Sequence, residues 1–311
     1  MNEIKILSGL TSWKLKEDIC VKLGVEPCAL EVSRFKDGEI RIQIKENIRG
    51  CDIFIVQSTH PPAENLLELL LLIDAAKRAS AKRITAIIPY FGYARQDRKD
   101  RPRVPISAKL IANLIQTAGV DRVVTIDLHS DQIQGFFDIP LDNIYAFPVF
   151  KEYLGPLDAR FFSIVSPDVG GTNRATAFAK RLGDLPLAVV DKRRPAPNMS
   201  EVMHVIGNVE DKNIIIVDDI IDTGGTIYFA SQKLKELGAK AIWVCATHAI
   251  LSGDAVSLLE NSPIDRIIVT DTIPIPEHKK MRKLEILTVS GLIAEAIKRI
   301  HEERSISALF I

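Results

Sequence analysis

Short apolar runs alternate with helix-periodic stretches along almost the whole chain, and no other feature limits its fold so tightly. Runs over 4–7, 52–57, 83–89 and 122–127 have the continuous apolar character of strands covered on both faces, with helical patterns over 64–79 and 106–118 between them. Past residue 150 the series restarts, with strands over 161–166, 187–190, 213–217, 241–247 and 266–269 and helices opening at Thr172, Thr226 and Gly253. Such βαβ units demand parallel pairing, so the prediction is an α/β chain with two doubly wound, mostly parallel sheets. Asp37-Gly38 separates alternating runs over 31–35 and 39–44 and predicts a small β-hairpin appended to the first sheet. At 311 residues the chain exceeds one ordinary core. The expected division is 1–150, 151–290 and a C-terminal helix and tail over 291–311, the helix able to pack on either half.

Charge narrows the partners. Forty Lys and Arg balance forty Asp and Glu, which argues against a general nucleic-acid or anionic-membrane surface. The greasiest run, 66–76, is interrupted by Glu68 and Asp74 and is about half a membrane span, so it predicts a core helix or one facing a second subunit. Cys20, Cys28, Cys51 and Cys245 form no CxxC pair, which suggests neither a zinc site nor a disulfide framework and fits a reducing cytoplasm. The first residues, with Glu3 and Lys5, read as a strand and not as a signal peptide. Neither GxGxxG nor a Walker loop occurs, so a bound nucleotide must be held by other means.

The most informative motif occupies 214–226. An apolar β-run delivers Asp218 and Asp219 to a turn, Asp222-Thr223-Gly224-Gly225-Thr226, that opens a helix. Unpaired amides at Gly224, Gly225 and Thr226, the positive helix end and two threonine hydroxyls suit a phosphate, and adjacent carboxylates suit the vicinal hydroxyls of a ribose. An ordinary strand-to-helix turn is the competing account.

Other strand ends carry further candidates. His129, in Asp127-Leu128-His129, can ligate a metal or contact phosphate, against a purely structural strand-end role. Ser166-Pro167-Asp168-Val169-Gly170-Gly171 can hold pyrophosphate on its glycine amides and Mg²⁺ on Asp168, or be a plain turn. Lys192, Arg193 and Arg194, followed by prolines, form a basic loop able to close over phosphates, with a solvated turn as the alternative. Arg95 and Gln96 can read a nucleotide or lie in a surface loop.

Taken in order, these motifs resemble the ribose-phosphate diphosphokinase family over nearly the whole chain. The stretches that carry the likeness are Phe35-Lys36-Asp37-Gly38-Glu39, 89–98, Asp127-Leu128-His129-Ser130 with 132–137, Ser166-Pro167-Asp168, Lys192-Arg193-Arg194-Pro195 and 217–226. The resemblance implies two domains of phosphoribosyltransferase type. It also implies transfer of the β,γ-diphosphoryl group of ATP to the C1 hydroxyl of ribose 5-phosphate, with Mg²⁺ required. On that pattern Phe35, Asp37, Gly38, Glu39, Arg95, Gln96 and His129 hold ATP, and His129 and Asp168 engage the metal-bound triphosphate. Asp218 and Asp219 take the ribose hydroxyls, Asp222 to Thr226 take the 5-phosphate, and Lys192 and Arg194 belong to a catalytic loop. The family also implies a homo-oligomer, a hexamer of bent dimers, in the cytoplasm.

Overall fold

The computed structural model describes residues 3–193 and 202–309. The chain runs β1 (Ile4–Ser8), α1 (Trp13–Leu23), the hairpin β2 (Leu30–Arg34) and β3 (Ile40–Ile44), β4 (Asp52–Val56), α2 (Glu64–Arg78), β5 (Arg83–Ile88), α3 (Ser107–Ala118), β6 (Arg122–Ile126) and β7 (Leu141–Ile144). It continues through α4 (Phe147–Leu154), β8 (Phe162–Ser166), α5 (Thr172–Arg181), β9 (Leu187–Arg193), β10 (Val202–Ile206) and β11 (Asn213–Ile221). The last elements are α6 (Gly225–Glu236), β12 (Ala241–Ala249), α7 (Ala255–Glu260), β13 (Arg266–Thr270), β14 (Leu284–Leu287) and α8 (Ser290–His301).

Two compact units result. One comprises Met1–Ala146, Thr272–Pro274 and Thr288–Ile311; the other comprises Phe147–Asp271 and Ile275–Leu287. The first holds a five-stranded sheet in the order β1-β4-β5-β6-β7, parallel throughout. Every residue of β4 is buried, which requires cover on both faces and explains why its sequence is apolar without alternation. The hairpin forms a sheet of its own, and Leu30, Ile42 and Ile44 pack it onto the core shared with α2 and α3. The last helix belongs to the first unit. α8 packs on α1, His301 Nδ1 lies 2.9 Å from Asp52 Oδ2, and Arg83 joins Asp52 Oδ1 at 2.9 Å while donating to the Ile300 carbonyl at 3.1 Å.

The second unit holds seven strands in the order β10-β9-β8-β11-β12-β13-β14, of which only β10 is antiparallel. From β8 the chain winds outward through α5 to β9, then returns to the other side of β8 as β11. The strand order therefore reverses between β8 and β11. In open α/β sheets the crevice at the carboxyl ends of such a strand pair is where ligands bind.

Candidate active site

β8 and β11 end beside that crevice in two different turns. After β8, the Ser166 hydroxyl donates to the Asp168 carbonyl at 2.7 Å, and the Gly171 amide donates to Asp168 Oδ1 at 2.8 Å. A Cβ at Gly171 would stand 2.9 Å from the Ser166 hydroxyl, so the tight return into α5 requires glycine there. Of the two glycine amides expected to hold pyrophosphate, that of Gly171 is thus already engaged by Asp168. The Asp168 carboxylate is exposed, anchored through one oxygen and available through the other.

β11 runs four residues further than its sequence suggests. Asp218 and Asp219 lie within the strand and not in the turn, because β12 continues alongside as far as Ile221↔Ala249. Asp219 is buried, and its Oδ1 accepts from Arg174 Nη1 at 2.9 Å; the same nitrogen is 3.9 Å from Asp218 Oδ1. The Asp219 amide donates to Asp218 Oδ1 at 2.9 Å. Burial, reinforced by the neighbouring Asp219 carboxylate, pushes the Asp218 carboxyl well above the usual range, and Arg174 opposes the shift.

The turn after β11 is built to present amides. Gly224 adopts φ +76° as the residue before α6, and a Cβ would also press on Leu259 at 3.1 Å, so only glycine fits. The carbonyls of Ile221 and Asp222 accept from Ile250 and Ser252, both at 2.9 Å, which ties that edge of the turn to the chain after β12. The opening amides of α6 have no acceptor within the helix, so the site carries the partial positive charge that suits phosphate.

In the first unit the sequence candidates gather at the carboxyl ends of β5 and β6. Asp127 takes φ +44°, its carboxylate accepts from the Ala146 amide at 3.0 Å, and Asn143 Oδ1 accepts from the Leu128 amide at 3.0 Å. These buried bonds hold the turn that exposes His129. Arg95 and Gln96 are also exposed, and Asp97 in their loop accepts from Gln132 at 2.7 Å, joining it to the 3-10 turn Asp131–Phe136 after His129. Gln96 accepts from the Ser107 hydroxyl through its side chain and from the Ala108 amide through its carbonyl at 3.2 Å, so it also fixes the start of α3.

Phe35, Asp37, Gly38 and Glu39 form the hairpin tip, a separate element. Phe35 is an exposed aromatic ring, Gly38 has φ +99°, and the Glu39 amide donates to Asp37 Oδ1 at 3.1 Å. Lys192 falls inside β9, its backbone opposite Met203 of β10, where a loop was expected. Arg194 lies outside the described residues.

Two contributors were missed in the sequence. Arg174 meets its partner across 45 residues, and its one signal is a basic residue in the first turn after the Ser166–Gly171 motif. Asn143 is a polar residue inside a short edge strand, which marks a structural hydrogen bond and nothing more specific.

Fold and geometry together define an α/β protein of phosphoribosyltransferase type, with its strand order reversing between β8 and β11 of the second sheet. Residues 4–119 match the N-terminal domain of ribose phosphate pyrophosphokinase, and 188–311 match the phosphoribosyl synthetase-associated domain. Ribose-phosphate pyrophosphokinase of Bacillus subtilis is 51% identical over 308 residues, covering 99% of this chain and 97% of the relative. That of Fusobacterium nucleatum is 52% identical over 312 residues, covering 99% and 98%. The crystal structure of phosphoribosylpyrophosphate synthetase from Mycobacterium smegmatis superposes with a TM-score of 0.91 at 42% identity, covering 97% of this chain and 99% of that one. The chain belongs to the ribose-phosphate pyrophosphokinase family. Its activity is the production of 5-phosphoribosyl 1-diphosphate.

Proposed function

We propose that the first unit holds ATP, the second holds ribose 5-phosphate, and the C1 hydroxyl of the sugar attacks the β-phosphorus of the nucleotide. The new bond joins the C1 oxygen to the β-phosphorus, and the bond from that phosphorus to the α-phosphate oxygen breaks. AMP departs with the bond electrons and the hydroxyl proton passes to solvent. The observation that carries the reading is the β8–β11 reversal, where β11 carries the partly exposed Asp218 beside the buried Asp219 and leads into a glycine-opened helix N-terminus.

The residue roles follow from chemistry. Asp218 and Asp219 accept from the vicinal ribose hydroxyls, and Asp222, Thr223, Gly224, Gly225 and Thr226 receive the 5-phosphate. Phe35 stacks on the base, with Asp37, Gly38 and Glu39 beside it, while Arg95 and Gln96 contact the nucleotide. With the Gln96 carboxamide oxygen taken by Ser107, its NH₂ is the group left for recognition. Lys192 and Arg194 neutralise charge on the transferring group, a task that needs fixed cations more than covalent help.

Among the described residues no three His, Cys, Asp or Glu side chains are gathered to cage a metal. The donor set nevertheless suits Mg²⁺, which keeps several waters and takes one or two protein oxygens besides substrate phosphates. Asp168 offers such an oxygen, and His129 engages the phosphates that the ion binds. When bound, Mg²⁺ screens the triphosphate and makes the β-phosphorus more electrophilic.

The assembly is a homo-oligomer, which we take to be a hexamer. α2 and α3 pack on each other, and each exposes two leucines one turn apart, Leu67 with Leu71 and Leu110 with Leu114. All four cysteines are free and buried, which suits a cytoplasmic enzyme. No helix among the described residues is long and apolar enough to cross a membrane. The deciding experiment follows AMP and 5-phosphoribosyl 1-diphosphate by ³¹P NMR with each substrate omitted in turn. Formation of both products only with ATP, ribose 5-phosphate and Mg²⁺ together is expected; AMP release without the sugar would defeat the reading.

A further inference from the structure

The guanidinium of Arg174 is the one strong feature of the second-unit site to which the mechanism above gives no task. It stands on α5, the helix opened by the turn that carries Asp168, yet its Nη1 donates to Asp219 on β11 at 2.9 Å and approaches Asp218 to 3.9 Å. Asp219 is 4% exposed, so its carboxylate is out of water and its orientation is set by the protein. Two adjacent carboxylates so placed repel one another, and Arg174 is the cation that the structure sets against both. A carboxylate that swung away from this contact would no longer aim its free oxygen at a sugar hydroxyl. Because the same helix also begins at the Asp168 turn, movement of α5 would displace an acceptor of the ribose and a candidate metal oxygen together.

We propose that Arg174 is a positioning residue for ribose 5-phosphate: it holds Asp219 oriented as a hydroxyl acceptor and registers α5 against β11. The proposal rests on the assignment of Asp218 and Asp219 to the ribose hydroxyls. A planar guanidinium suits the role better than an ammonium, which keeps the charge but lacks the fixed geometry.

The test is steady-state kinetics on Arg174→Gln, Arg174→Lys, Asp219→Asn and the Arg174→Gln/Asp219→Asn pair, with each substrate varied at saturation of the other. Arg174→Gln should raise KM for ribose 5-phosphate about tenfold or more and leave KM for ATP within about twofold, as expected when a charge-assisted contact to one substrate is lost. Arg174→Lys should recover most of that loss, leaving a rise of about threefold. The double variant should match Asp219→Asn within about twofold, since both changes break one contact. An unchanged ribose 5-phosphate KM in Arg174→Gln, equal rises for both substrates, or additive losses in the double variant would each overturn the proposal. If Arg174→Gln does not fold, Arg174→Lys carries the test: its threefold rise must be confined to the sugar and vanish in the Asp219→Asn background. An Asp219→Asn variant with native affinity for ribose 5-phosphate would instead remove the ribose assignment itself, and the proposal with it.

Discussion

At the carboxyl end of β11 Asp219 is drawn out of water against Arg174, with Asp218 partly exposed beside it, whereas at the end of β6 Asp127, with Asn143 of β7, commits oxygens to backbone amides and His129 stands exposed. Topology accounts for the contrast. The second sheet reverses its order between β8 and β11, so two strand ends diverge around a crevice, and Asp219 on one of them is buried by the fold itself. The first sheet winds in one direction from β1 to β7 and has no such reversal, so its candidates ride on turns that buried bonds to backbone amides hold rigid. In the second unit the buried carboxylate is itself a candidate for substrate, while in the first unit the buried groups serve the turn and the candidates stay exposed. The difference predicts that changes in the second unit split function from stability, and that changes beneath the first unit's turn damage both.

The largest effect belongs to the cations of the second unit. Lys192→Ala or Arg194→Ala should lower turnover by about two to four decades with little change in ribose 5-phosphate KM, as for charges that act mainly in the transition state. Initial rates at saturating substrates check this, and near-native turnover would break the electrostatic side of the comparison. Next comes His129→Ala, expected to lower turnover by about one to two decades while stability stays within about 0.5 kcal/mol, since the side chain is exposed. A urea midpoint that fell markedly would show that the histidine supports the fold. Beneath it, Asn143→Ala should cost about 1–3 kcal/mol by leaving the Leu128 amide unsatisfied. The same urea titration measures that loss, and KM for ATP should rise with it.

How far the chain could be read without coordinates follows the same divide. Central parallel strands such as β4 and β11 were legible because both faces are buried and the run is continuously apolar. The edge strand β7, Leu-Asp-Asn-Ile, was not, since three of its four residues are polar or only partly buried. α4 escaped notice because Pro148 occupies its first turn, where proline is tolerated but resembles a loop signal. The aspartates of β11 resembled a strand end because acids are depleted in strands, yet the pairing with β12 carries the strand past them. The strand-end turns at Asp168 and Gly224 were legible from their glycines and acids. Arg174 was not, because its meaning arises only when α5 is laid against β11, and a basic residue in a helix's first turn does not by itself name that partner.

The smallest effect is the most discriminating. Burial and the Asp219 charge raise the Asp218 carboxyl above its unfolded value, so the folded chain binds more protons than the unfolded one as pH rises from about 3.9, the ordinary carboxylate value, to the raised native value. Stability contributed by this group is therefore lost across that window, and above it the fold carries the full penalty of an ionised Asp218. Asp218→Asn removes the titration. Its thermal midpoint should coincide with that of the native chain below the window and exceed it at neutral pH, by on the order of a few degrees, while ribose 5-phosphate affinity falls. Asn143→Ala, which alters only neutral bonds, should show the same deficit at every pH. Thermal scans of both variants from acid to neutral pH separate the two kinds of support. An Asp218→Asn offset as flat as that of Asn143→Ala would mean that Arg174 fully compensates the pair, and the contrast between the two strand ends would fail.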